Sequence, residues 1–301
     1  MNLRNLHIRS QVLHAIRDFF FSEGFTEVET PVRIPAPALE TFIDSPPSGR
    51  AWLRASPELH MKRLLAEGLP RLYQIGPCFR AGECGSRHNP EFTLLEWYRA
   101  GASYTDILKD TEALVTHVFQ AVSGSASFGC RGQVVDLSRP WHCLTVREAF
   151  RTLAGWDPVA AWDPDRFDLD LVAKVEPGLP RDKPCVLTDY PAPAAALARL
   201  KPHDPSVAER WELYVGGLEL ANAYGELCDA GVQRAASRRP PRPDGSSAKR
   251  STRSTSRSSR PLSEGCPPAA ASRWAWTGWS CSPAGQQTYP TSGLFANARG
   301  S

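Results

Sequence analysis

The chain has no apolar run approaching the roughly 18 residues needed to span a bilayer, and it does not open on a basic stretch followed by an apolar one. Neither a membrane span nor a cleaved secretory leader is expected. Its eight cysteines include no Cys-x-x-Cys spacing, so neither a zinc site nor a dithiol redox motif is indicated. A reduced, cytoplasmic compartment is the simple expectation. Acids are scarce at one end only. Residues 231–301 hold eleven Lys/Arg and two acids, Asp244 and Glu264, a balance of +9 that leaves −6 for residues 1–230 of the +3 total.

Such a basic tail could be a disordered arm for nucleic acid. Three clustered tryptophans, Trp274, Trp276 and Trp279, argue against a solvated linker. The expected organisation is a folded core over 1–230 and an aberrant basic tail over 231–301.

The richest segment is Arg87–Trp97, Arg-His-Asn-Pro-Glu-Phe-Thr-Leu-Leu-Glu-Trp, with Phe79-Arg80 seven residues upstream. An arginine, a short Gly-containing loop and a polar-aromatic strand can hold a nucleoside triphosphate without a P-loop. The guanidinium of Arg80 can grip the α-phosphate as a fork. The loop Ala81–Ser86 can close over the base. A strand over Asn89–Tyr98 can point alternate side chains into one pocket.

Apolar residues at 8, 12, 13, 16, 19 and 20 predict a helix over Leu6–Phe21. Gly24 ends it, and Phe25–Pro31 reads as a strand broken by proline. Arg54–Gly68 reads as a helix with Ser56 at its N-cap and Pro57 in its first turn. Glu58 is there either as a helix-terminus acid or as a substrate contact. Residues 72–80 read as a strand into the Arg80 loop, and residues 104–125 as an amphipathic helix. Residues 126–205, with Trp156, Trp162 and a Pro-rich stretch at Pro180, Pro184, Pro191 and Pro193, read as a small insertion with surface loops. His142 and His203 read as structural or surface residues. In Leu218–Leu227, Glu219, Asn222 and Glu226 interrupt an apolar strand. Buried acids need a cation, either a metal ion or a substrate ammonium. Glu219 and Asn222 have opposite parity, so on a regular strand they cannot both face water.

The Phe79–Trp97 run resembles motif 2 of the class II aminoacyl-tRNA synthetases, lysyl branch. The helix-strand-Pro31 segment resembles their motif 1, which builds a dimer interface. Ser56-Pro57-Glu58 resembles the lysyl substrate-binding segment. Within this branch the chain is most similar to the elongation factor P–(R)-β-lysine ligase family, over about residues 5–230. The core starts near residue 5, with no anticodon-binding domain ahead of it, and Ser-Pro-Glu-Leu-His-Met-Lys-Arg-Leu-Leu and Leu-Leu-Glu-Trp-Tyr-Arg are in that family's style.

The tail joins the resemblance only in another reading frame. Tryptophan has one codon, TGG. If the true frame joins the last base of each codon to the next two, Ala275 after Trp274 must become Gly. Thr277 after Trp276 must become Asp. Ser272–Trp279 then permits Val-Ala-Leu-Gly-Leu-Asp-Arg-Leu, which resembles motif 3. Codon 273 cannot give Gly in that frame and can give Ala, the residue of the ligase family, where the tRNA synthetase prefers Gly. A frameshift near 231–235 is the expectation.

The resemblance implies an α+β fold, an antiparallel sheet flanked by helices. It implies ATP and Mg²⁺, with Arg80, Glu83, His88, Asn89, Phe92, Glu219 and Leu220 around the nucleotide. Phe92 would stack on adenine, and Glu219 and Asn222 would hold Mg²⁺. Ser56, Pro57, Glu58, Glu96, Tyr98, Asn222 and Glu226 would hold lysine or (R)-β-lysine. Arg80 and Glu219 would carry the catalytic burden, activating the amino acid as an acyl-adenylate for transfer to a lysine of elongation factor P. A homodimer is implied and tRNA is not expected, the readable part being acidic with no RNA-binding module. The alternatives are acylation of tRNA, or an inactive pseudoenzyme lacking motif 3. The chain departs from the family twice. Gly82 stands two residues after Arg80 where the family has an acid, with Glu83 one place later, and motif 3 is absent in the frame as given.

Overall fold

A computed structural model describes residues 3–37, 44–85, 88–130, 132–195 and 198–227, together with the backbone of three strands beyond them. The chain runs α1 (Leu3–Ser22), β1 (Thr26–Glu27), β2 (Arg33–Ile34), β3 (Pro47–Ser48), β4 (Ala51–Leu53), α2 (Glu58–Ala66), β5 (Arg71–Phe79), β6 (Glu91–Ala100) and α3 (Tyr104–Ser123). A hairpin of β7 (Ser127–Cys130) and β8 (Gln133–Asp136) follows, then β9 (His142–Thr145), α4 (Val146–Leu153), α5 (Pro164–Asp170) and β10 (Cys185–Pro191). Next come β11 (Leu200–Lys201), β12 (Asp204–Val215), β13 (Leu218–Gly225) and β14 (Ala269–Trp276).

One mixed, mainly antiparallel sheet organises these elements, in the order β1-β5-β6-β14-β13-β12-β10-β9 with β11 on β12. Only the outer pairs β1–β5 and β9–β10 are parallel. The α+β class with an antiparallel sheet is therefore as the sequence implies. Period-two alternation decides what each face of the sheet does. On β6, Leu95 and Trp97 join α1 and α3 in the main apolar core, as do Trp211, Leu213, Ala221 and Ala223 of β12 and β13. The intervening residues Glu96, Tyr98, Glu212 and Asn222 are left to the other face. Helix α3 begins with a reciprocal cap, Ser103 Oγ accepting from Asp106 N while the Asp106 carboxylate accepts from Ser103 N. This fixes where the helix starts against the sheet.

Two expectations change, and the tail adds a strand. The strand over Phe25–Pro31 shrinks to Thr26–Glu27, because Thr30 is drawn out of it. Its N–H and hydroxyl donate to Gln74 Oε1, and its carbonyl accepts from Arg54. Residues 126–205 are more than an insertion of surface loops. They supply β9 and β10 to the main sheet and a second apolar core around Phe150, Phe167 and Tyr190, on which Trp156 and Trp162 pack. The tail enters the sheet as well. β14 pairs with β6 on one side and β13 on the other.

Candidate active site

The site lies on the sheet face that α1 and α3 do not cover. Helix α2 sits over β5 and β6, its Met61 and Leu65 packed on Leu72 and Tyr98. Its start was expected to be capped by Ser56. The N-cap position is Pro57 instead, with no side-chain cap of its own. Ser56 Oγ still accepts from Glu58 N, at 3.1 Å, and donates to Glu96 Oε2 at 2.8 Å. Tyr98 hydroxyl donates to the other Glu96 oxygen at 2.6 Å.

Glu96 is fully buried, and Glu58 and Glu226 are 4–5% exposed. Three carboxyls from α2, β6 and the end of β13 thus converge although β14 separates the last two elements. A gap of two strand spacings, about 10 Å, is within reach of glutamate side chains from both sides. Lys62 stands between two of them, its Nζ 2.6 Å from Glu58 Oε1 and 2.6 Å from Glu226 Oε2. Burial pushes the Glu96 carboxyl up to about 7, against the opposing pull of its Tyr98 and Ser56 hydrogen bonds and the Lys62 charge.

Farther along the same strand pair stands Arg80, just after β5 and six residues beyond Gln74, the partner of Glu96. Its guanidinium lies 5.0 Å above the Phe92 ring and 3.6 Å from Glu83. Gly82, at φ +80, turns the loop so that Glu83 comes back to Arg80, and the acid displaced by one place in sequence still meets the arginine. Phe92 is 4% exposed, so stacking on an adenine requires the residues over it to move. Asn89 is buried at the mouth of β6, two residues before the strand. His88 is exposed, and its carbonyl accepts from Gly85 N to close the loop.

The opposite-parity pair on β13 has a simple resolution. Leu213 pairs with Ala221 but Tyr214 pairs with Glu219, so Leu220 is an extra residue. This β-bulge shifts the alternation by one. Glu219 and Asn222 therefore share one face, that of Glu212 and Tyr214, whose side chains meet at 2.8 Å. Water reaches Glu219, yet protein crowds it on most sides. That crowding, with the Glu212 charge, raises its pKa, while Arg210 and Arg80 oppose the rise. Arg80 and Glu219 thus act on one another across the site.

Among the described residues no three His, Cys, Asp or Glu side chains are grouped as a metal-ligand set. Mg²⁺ that travels with phosphates needs only one or two protein carboxylates, and the Glu219–Glu212–Asn222 face suits that requirement. Sequence reasoning missed Lys62, Glu212, Arg210 and Arg54. Arg54 is 1% exposed and donates to the carbonyls of Thr30 and Pro77, tying the end of motif 1 to β5. Gly76 leaves room for it, since a Cβ there would stand 2.6 Å from Arg54 Nη2. Lys62 alone carried a signal, the i,i+4 spacing from Glu58. The side chains of Ser272–Trp279, where the motif 3 reading falls, lie outside the described residues.

The model of the family described as tRNA synthetases class II (D, K and N) matches residues 2–269. The chain belongs to this class II synthetase family. A lysine–tRNA ligase of Dehalococcoides mccartyi (strain 195) is 36% identical over 255 residues, covering 75% of this chain and 50% of that protein. One from Moorella thermoacetica is 36% identical over 251 residues, covering 75% and 51%. An elongation factor P–(R)-beta-lysine ligase of Haemophilus influenzae (strain PittGG) is 35% identical over 263 residues, covering 77% and 76%. This class II chain thus spans about half the length of the lysine–tRNA ligases it matches and three-quarters of the H. influenzae ligase. Lysyl relatives of both kinds are equally near. Among the described residues, no helix is long and apolar enough to cross a membrane.

Proposed function

We propose that this class II core activates a diamino acid, lysine or (R)-β-lysine, with ATP and passes the acyl group to a lysine of elongation factor P. The observation that carries the reading is the buried set Glu58, Glu96 and Glu226 with Ser56 and Tyr98, on the face of β6 that also carries Phe92, over which Arg80 lies. Three buried carboxyls against one buried cation, Lys62, favour a ligand bearing ammonium groups. A forked guanidinium farther along the same face, Arg80 over Phe92, favours a ligand whose carboxylate is to meet ATP.

In this reading Arg80 grips the α-phosphate as a fork and stabilises charge that develops at phosphorus. Asn89 and Phe92 hold the nucleotide, with Glu83 and His88 on the loop above it. Glu219, Asn222 and the bulge at Leu220 form the Mg²⁺ side. The ion, when bound, neutralises the departing pyrophosphate. Glu58, Glu96 and Glu226 orient the ammonium groups so that the substrate carboxylate lies in line with the α-phosphate. No protein nucleophile is needed; positioning and electrostatics carry the step.

The tail belongs to the same reading. β14 runs between the two strands that carry the pocket acids, and position 273 is in register with both Glu96 and Asn222. A shifted frame permits there the Ala that the ligase family carries. The same frame permits the Gly-Leu-Asp-Arg run that the chain otherwise lacks. The chain as sequenced is expected to bind lysine through residues 56–226 and not to catalyse lysine-dependent ATP–pyrophosphate exchange.

The equal nearness of lysine–tRNA ligases favours a second reading, acylation of tRNA. The frame-restored protein, given labelled lysine or (R)-β-lysine with elongation factor P and tRNA together, separates the two. Label on elongation factor P supports the first reading, and label on tRNA alone replaces it by the second. Homodimerisation through the segment around Pro31 is part of the proposal and is checked by sedimentation.

A further inference from the structure

Lys62 is the member of the pocket with no role in that chemistry so far. It is placed with care. It sits one helical turn after Glu58 on α2, so its stem is held by a regular element. Its second partner, Glu226, is fixed from the other side of the sheet. Ala198 bridges to Glu226, and Arg199 N donates to the carbonyl of Gly225 at 2.6 Å. Side chains of Lys62, Glu58 and Glu226 are all 5–6% exposed.

Both carboxylate oxygens lie 2.6 Å from one nitrogen, so they stand no more than twice that distance apart. Two ionised carboxyls at that separation and that burial repel strongly. Without a cation between them, one takes up a proton. Glu96, hydrogen-bonded to Ser56 and Tyr98, feels the charges of both Lys62 and Glu226. Lys62 therefore acts on every acid of the pocket at once.

We propose that Lys62 is a positioning residue: its tethered ammonium clamps Glu58 to Glu226, keeps both ionised, and so presets the geometry and charge that a diamino acid meets on entry. This rests on the reading that the pocket binds a lysine-type ligand. Lys62 lets a ligand ammonium find carboxylates that are already charged and oriented, which removes a reorganisation step from binding.

The test is calorimetric titration of the 301-residue chain with lysine, in two buffers of different ionisation heat at neutral pH. The comparison is between unaltered protein, Lys62→Met and Lys62→Arg. In Lys62→Met the two acids share a proton that an incoming ammonium must displace. Lysine should bind about tenfold more weakly and release about one proton more than with the unaltered protein. Lys62→Arg, which keeps the charge, should match the unaltered protein in protons released. A structural role alone would weaken binding without changing the proton count. If Lys62→Met does not fold, Lys62→Gln carries the same comparison. Equal affinity and equal proton release in the neutral variant overturn the proposal while the pocket reading stands. Failure of the unaltered chain to bind lysine overturns both.

Discussion

Glu96 shows how one residue can tie stability to ligand binding. Its carboxyl is wholly buried and rises from an ordinary 4.5 to about 7. A folded-state value above the unfolded one means that the fold holds the proton more tightly. Its contribution is therefore intact below about 4.5 and is lost as pH rises to about 7. The loss amounts to about 3 kcal/mol if the whole shift is expressed. Chemical unfolding of the chain between pH 4.5 and 7.5 should show this decline, and Glu96→Gln should flatten it. Arg80 is the second residue to probe. A forked contact to phosphate contributes about 3 kcal/mol, so Arg80→Ala should weaken ATP binding roughly a hundredfold by calorimetry, leaving lysine binding unchanged. The acids of the pocket were legible because their residue types and spacing fit a known motif. Lys62 and Arg54 were not, since their partners Glu226 and Thr30 come from distant strands or loops that only the folded sheet brings close.

At the scale of elements, the decisive feature is the bulge at Leu220. Deleting Leu220 removes the extra residue and leaves Glu219 and Asn222 two places apart, on one face by regular alternation. The deletion variant should therefore keep its lysine pocket and its Mg²⁺-dependent ATP binding, read as the difference between ATP affinities with and without Mg²⁺, and loss of that difference would contradict this reading of the bulge. The anchoring of α3 makes a separate prediction. Ser103→Ala removes one half of the reciprocal cap and should lower stability by about 1 kcal/mol in chemical unfolding. Helices α1 and α3 were legible from periodicity, because each packs a single apolar stripe on the sheet. The bulge was not legible. Parity exposed a conflict in β13, but which of its residues is extra depends on the register with β12. The early end of β1 also escaped notice, because hydrogen bonds from Thr30 to Gln74 and from Arg54 to Thr30 outweigh strand propensity there.

On the scale of the whole molecule, the part of the chain that the lysine–tRNA ligases match, 75% of its length, is about as long as the acidic segment 1–230. The pocket acids and Arg80 all fall within that segment, whereas the strand between β6 and β13 comes from the basic tail. A core complete for amino-acid recognition but out of frame in its last ATP-binding motif accounts for the charge split, the clustered tryptophans and the forced Gly and Asp codons together. Lysine-dependent ATP–pyrophosphate exchange tests that account most directly. It is to be measured side by side on the 301-residue chain and on a chain whose frame is moved by one base near codons 231–235. The account predicts exchange with the frame-restored chain and none with the chain as sequenced. Exchange by the 301-residue chain, or none by the restored one, would contradict it.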